Sequence, residues 1–330
     1  MSDTHLQTCD ENLRKEPWLS EPSSMRRNMI GGTGIGVTEI GLGTAQLGDL
    51  YAPLDQNQAQ AIVDASWEGG IRYFDTAPHY GLGLAEERLG IALRSRPRDT
   101  FVVSTKVGRL VVGRGGAAHR VWDFSAQGVA RSIAASRRRL RMDHLDIAFI
   151  HDPEDHVEEA LASSVPELVR MRAAGDMSAI GVASKDVQSL LRFVHESDID
   201  VIMLAGRLTL LDHSALDELI PACMVRGVSV VGAAVFNSGI LAHERPDQNA
   251  RFNYDASPAH LVERARELAA LATRHGYTLP EAAVAFASEP SPPVASVVLG
   301  ADSKEQAKRN VALLRVTADR EKLRSAVLSR

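Results

Sequence analysis

The sequence predicts a single (β/α)8 barrel, the TIM-barrel fold, for residues 29–330. Three observations predict it. Eight short, apolar, β-branched runs alternate with helical patterns, as strands buried on both faces should. Glycines at Gly69-Gly70, Gly175, Gly227 and Gly276 fall where helices should end. A length of 330 residues suits one such barrel. A doubly wound open sheet is disfavoured, because no phosphate-binding fingerprint follows any strand.

The elements follow in order. Residues Met1 to Asn28 are polar and aperiodic and read as a disordered tail. Gly31-Gly32-Thr33-Gly34-Ile35-Gly36 has the wrong spacing for a dinucleotide fingerprint and no strand before it, so a hairpin or barrel-bottom turn accounts for it better. Strand Ile40–Gly43 precedes helix Gln56–Glu68, and strand Ile71–Asp75 precedes helix Ala85–Arg94. Strand Phe101–Lys106 is separated by a long loop from helix Ala126–Arg141, and strand Asp146–His151 leads to helix Val157–Ala174. Ala179–Ala183, Val201–Ala205 and Val228–Val235 are strands, with helices Val187–Glu196 and Ser214–Val225 between them. After a second long loop come helix Leu261–His275, a short helix near Pro280, strand Ser296–Leu299 and helix Lys304–Leu314.

Composition bounds the function. A net charge of −5 argues against a nucleic-acid binder. The basic run Arg137-Arg138-Arg139 reads as a solvated helix face. Two distant cysteines, Cys9 and Cys223, fit a reducing compartment. Neither a membrane span nor a signal peptide is evident, so a cytoplasmic protein without membrane contact is expected.

Asp75, Tyr80, Lys106 and His151 sit at or just past the ends of successive strands. In a barrel that places them at one mouth, where adjacent strands lie about 5 Å apart. A phenol is a poor base near neutrality, and a neighbouring ammonium favours its phenolate. Lys106 can be that ammonium, Asp75 can hold it, and His151 can orient an oxygen. The set suits proton transfer at a carbonyl or alcohol, the usual companion of hydride transfer. His151-Asp152 as metal ligands is disfavoured, because no H-x-H and no further ligand set ends the other strands, and no metal is expected.

Asp75-Thr76-Ala77-Pro78-His79-Tyr80-Gly81 with Glu87-Arg88-Leu89-Gly90, Ser104-Thr105-Lys106-Val107, Asp146 through His151, and Gly181-Val182 resemble, in order, the motifs of the aldo-keto reductases. The resemblance implies that Tyr80 is the general acid/base, tuned by Lys106 and Asp75, with His151 on the substrate oxygen. His151-Asp152-Pro153, Ala205-Gly206-Arg207 and Val235 through Gly239 resemble the aldose 1-dehydrogenase branch. That branch includes L-fucose, D-arabinose and L-galactose dehydrogenases, and pyridoxal 4-dehydrogenase is similar to it. It implies oxidation of a hemiacetal to a lactone with a nicotinamide cofactor.

By the same resemblance the cofactor lies across the mouth against Gly43, Thr44, Asp75, Ser184, Phe236, Asn237, Ser238, Gly239, Leu241, Gly300, Asp302, Gln306 and Asn310. NADPH-preferring relatives carry a lysine at the Gly300 position and an arginine at Gln306. Their absence, with Asp302 nearby, implies NAD rather than NADP. Ala183-Ser184, Ala205 and Ala233 or Ala234 depart from the residues that usually hold the nicotinamide. Substrate is expected at His79, Trp122, Phe124 and His151, under loop Val107–Phe124. Trp122 either stacks on the substrate ring or pins that loop. Loop Leu241–Pro258, with Tyr254, is a candidate cover for the cofactor. An NADPH-dependent aldehyde reductase, a pyridoxal dehydrogenase and a nicotinamide-sensing regulatory subunit are the alternatives. A monomer or small homo-oligomer is expected.

Overall fold

The computed structural model describes residues 25–329 except 114, 253–254, 289–292 and 314–318. Cys9, most of the expected tail and Tyr254 lie outside the described residues.

Eight parallel strands close into a barrel in chain order: β1 (Ile40–Gly43), β2 (Tyr73–Asp75), β3 (Val102–Val107), β4 (Leu145–His151), β5 (Met177–Ser184), β6 (Val201–Ala205), β7 (Ser229–Ala233) and β8 (Val294–Gly300). Register sets the site. Gly43 lies opposite both Asp75 and Gly300, Asp75 opposite Ser104, Lys106 opposite Phe149, and His151 opposite Ala183. The strand ends that carry polar residues therefore share one rim.

Alternation along the strands divides the core. One set of side chains packs outward under the helices, and Tyr73, Val102, Ile147, Phe149, Val201, Met203 and Val298 belong to a second cluster that includes Ile30 and Val37. Those two belong to a short hairpin, Arg27–Met29 paired with Gly36–Thr38, whose turn is the glycine-rich segment. Asn28 donates to the Ala295 carbonyl (2.9 Å) and Gly31 to Ser229 Oγ (2.8 Å), at the starts of β8 and β7. The hairpin thus closes the bottom of the barrel, and its first strand begins inside the segment expected to be a tail.

Helix Gln56–Glu68 opens with a capping box, Asp55 and Gln58 exchanging bonds of 2.8 Å. The predicted helix from Val157 is interrupted by a π turn over Ala160–Ser164, just before Pro166, which has no N–H to continue the α ladder. The predicted helix from Ser214 begins instead as a 3-10 turn, and its α-helical part is Leu219–Arg226. A further helix, Arg320–Leu328, follows the last predicted one. The arginine run is only partly a solvated face. Arg138 is exposed, but Arg137 pairs with Asp176 (2.9 Å) and Arg139 with the fully buried Glu86 (2.6 Å).

The expected loop Val107–Phe124 holds an antiparallel hairpin, Arg109–Val112 paired with His119–Trp122. It starts at Gly108, whose φ of 93° favours glycine and where a Cβ would lie 2.3 Å from the Phe124 ring. The Asp123 N–H donates to the Gly108 carbonyl (2.9 Å), closing the hairpin at its base.

Candidate active site

Asp75 ends β2, and its main-chain carbonyl accepts from both the backbone N–H and the hydroxyl of Thr44 (2.9 Å each). Lys106, 1% exposed, reaches across from β3. Its Nζ donates to Asp75 Oδ2 (2.7 Å) and Oδ1 (2.9 Å), to the Thr76 carbonyl (2.9 Å) and to the Tyr80 hydroxyl (3.3 Å). Ser104 Oγ donates to Asp75 Oδ1 (2.7 Å) and meets Tyr73 OH at 3.0 Å. Burial alone would depress the Lys106 pKa. The charge of Asp75, then Tyr80, outweighs burial and raises it, so the side chain stays an ammonium.

Tyr80 opens the 3-10 turn after β2, and His151 ends β4. Their rings lie 6.1 Å apart and perpendicular, and the His79 ring lies 5.9 Å from that of His151. Burial first, then the charges of Lys106 and Arg109, hold His151 well below the ordinary imidazole range. Burial, then Arg109, lowers His79 to about 4. Both are neutral near pH 7, so each offers one N–H and one lone pair. An ammonium touching a phenol, beside a neutral imidazole, can move a proton on or off an oxygen held between them. The structure thus brings Asp75, Tyr80, Lys106, His151 and His79 together.

The hairpin covers one side of this group. Trp122 is 49% exposed, with the Arg109 guanidinium 4.6 Å from its ring centre and Phe124 stacked at 5.8 Å. Phe124 itself is fully buried and supports the Trp122 ring from beneath. Sequence reasoning left two polar groups out of the site: Arg109, within the expected loop, and Asp152, weighed only as a metal ligand. Arg109 donates to Asp152 Oδ2 (2.5 Å) and to His79 Nε2 (3.1 Å), and Asp152 lies 3.6 Å from His151 Nε2. An arginine two residues past β3 and a carboxylate directly after His151 were the available signals.

The expected cofactor residues lie along the same rim, at and after the ends of β1, β5, β7 and β8. Thr44 and Leu241 are fully buried, Thr44 bonded to Asp75 and Leu241 in the core. Ser184 donates to Glu154 (2.5 Å) and accepts from the Asp186 N–H (2.8 Å). Phe236 is half-buried, while Asn237, Ser238 and Gly239 all have positive φ after β7. Asn310 donates to the Gly300 carbonyl (2.9 Å), and Gln306 accepts from the Asp302 N–H (2.8 Å). Gly43 borders Gly300 across the β8–β1 pairing. A nicotinamide dinucleotide needs polar partners and a low wall along such a rim. Asn237 Oδ1 and Gln46 Oε1 are buried without hydrogen-bond partners, and Gln46 packs where a Cβ on Gly300 would sit, 2.5 Å away. These residues fit that group.

Residues 39–326 match the aldo/keto reductase family. The chain is 42% identical over 294 residues to D-threo-aldose 1-dehydrogenase of a Pseudomonas species, covering 84% of this chain and 89% of that protein. It is 35% identical to pyridoxal 4-dehydrogenase of Microbacterium luteolum, covering 86% and 92% respectively. A solved aldo-keto reductase from Bacillus halodurans, in its holo form, superposes with a TM-score of 0.74 at 26% identity, over 92% of this chain and 96% of that one. Family members bind nicotinamide cofactors. With its closed barrel and its phenol, ammonium and imidazole at one mouth, this chain belongs to the aldo/keto reductase family and is an oxidoreductase.

Proposed function

We propose that this enzyme oxidises the hemiacetal carbon of an aldose, of the L-fucose, D-arabinose or L-galactose type, to its lactone, with NAD as electron acceptor. The observation that carries the proposal is the contact of Tyr80 OH with Lys106 Nζ at 3.3 Å, where Lys106 is pinned by Asp75. Tyr80, as phenolate, takes the proton of the anomeric hydroxyl. Lys106 stabilises the phenolate, and Asp75 keeps Lys106 charged and aimed. His151, neutral, donates to the anomeric oxygen and aligns it. A bound nicotinamide cofactor supplies the two-electron acceptor for the anomeric carbon. Asn237, Ser238, Gly239, Gly300 and Asn310 would hold it, with Asp302 and Gln306 near its ribose. The resemblance to D-threo-aldose 1-dehydrogenase supports the substrate class. The carboxylate of Asp302, beside Gln306 rather than a cation, supports NAD. The proposal includes a cytoplasmic monomer or small homo-oligomer acting on a small molecule. Among the described residues no helix is long and apolar enough to cross a membrane.

A second substrate has support. Pyridoxal also closes to an internal hemiacetal, and the chain is similar to a pyridoxal 4-dehydrogenase. Absorbance at 340 nm with NAD and NADP, across aldoses and pyridoxal, separates the readings. Turnover of an aldose with NAD is expected. Turnover of pyridoxal alone favours the second reading, reduction of simple aldehydes with NADPH refutes both, and tight cofactor binding without turnover points to a sensing subunit.

A further inference from the structure

Arg109 and Asp152 have no part in the proton transfer, yet both are fastened over it. The guanidinium has one nitrogen on Asp152 Oδ2 and another on His79 Nε2, and its plane lies against Trp122, its partner across the hairpin. Because arginine only donates, His79 Nε2 must accept, which fixes that imidazole as the Nδ1–H tautomer. Asp152 sits at φ 46°, a left-handed conformation uncommon for a non-glycine residue, held by its N–H on the Ala183 carbonyl (2.8 Å). Such an outlier beside a reacting centre points to a task there.

The three side chains are not sealed. Arg109 and Asp152 keep 22% and 35% of their side-chain surface, and Trp122 is about half exposed. Arginine has more N–H donors than its two partners use. Asp152 Oδ1 accepts no hydrogen bond from any described residue. Spare donors, a spare carboxylate lone pair and an indole face together match neighbouring hydroxyls on a ring whose C–H groups are apolar. A surface ion pair kept only for stability would contribute little and would not need the planar fork.

We propose that Arg109 and Asp152, with the Trp122 ring, recognise a pair of neighbouring substrate hydroxyls and thereby select polyhydroxy hemiacetals. The inference rests on the aldose reading above. The test pairs residues with hydroxyls. Wild type, Arg109→Gln, Arg109→Lys and Asp152→Asn are assayed with the best aldose and its 2-deoxy and 3-deoxy analogues, and NADH binding is followed by fluorescence. For wild type, one deoxy analogue is expected to lose roughly 10- to 100-fold in kcat/KM, mostly through KM. In Arg109→Gln the aldose falls by a similar factor, and the deoxy penalty shrinks to less than about 3-fold, as coupled partners require. Arg109→Lys keeps the charge but loses the fork and should behave like Arg109→Gln. It also serves if Arg109→Gln does not fold, as judged by lost NADH binding. A deoxy penalty that is the same in variants and wild type overturns the clamp while leaving the aldose reading intact. A wild type inactive on every aldose overturns the aldose reading itself, and this inference with it.

Discussion

Lys106 Nζ is the residue-scale pivot, because one buried ammonium serves both Asp75 and Tyr80. Tyr80→Phe keeps the ring and loses the hydroxyl proposed to carry the proton. Turnover should vanish, while NADH binding by fluorescence stays within about 3-fold of wild type. Lys106→Met removes the ammonium and leaves Asp75 buried without its cation. We expect kcat to fall more than about 100-fold, and urea denaturation to show a loss of about 3–5 kcal/mol. Much of this was legible in the sequence, because an acid, a phenol, an amine and an imidazole at strand ends are unusual residue types for positions so apolar. The Arg109–Asp152 contact was not. It joins an insertion after β3 to the end of β4, and nothing local couples residues 43 apart in the chain. The burial of Thr44, Phe124 and Leu241 was not legible for a related reason. Proximity to a strand end in sequence does not say whether a side chain faces the mouth or the core.

At the scale of elements, the hairpin Arg109–Trp122 is where sequence reasoning saw only loop. Its strands are four residues each and flank the glycines Gly113, Gly115 and Gly116, a composition that reads as irregular chain. What holds it as a hairpin is side-chain packing: Phe124 under Gly108, Arg109 on Trp122 across the strands, and Arg109 bonded to Asp152 and His79 on the barrel. Gly108→Ala should therefore cost about 1–3 kcal/mol, from a Cβ driven into Phe124 and an unfavourable φ, read as a lowered urea midpoint. Hydrogen exchange should separate the elements as well. Amides of β3 to β5, buried on both sides, should exchange far more slowly than those of His119–Trp122, which is largely exposed.

For the whole molecule, the barrel was the most legible feature, since its eight runs needed only their period and spacing to be read. Its stability should carry a pH signature from the mouth. His79, lowered to about 4, and His151, also lowered, are uncharged when folded, whereas in the unfolded chain they titrate near 6.5. The unfolded state then binds more protons below 6.5, so stability is complete above that pH and declines towards 4. Lys106 acts at the other end. Its raised pKa contributes stability that is complete below about 10.5 and is lost as pH rises through the folded value. Melting temperature against pH should show a plateau between these limits, and His79→Asn should make the acid slope shallower. The base of the hairpin has a wider meaning. Because Gly108 and Asp123 are joined by one hydrogen bond, the chain leaves and rejoins the barrel at nearly the same point. The hairpin proposed to meet the substrate is therefore a cassette, open to exchange between related enzymes or to loop grafting, while Tyr80 and Lys106 stay untouched below it.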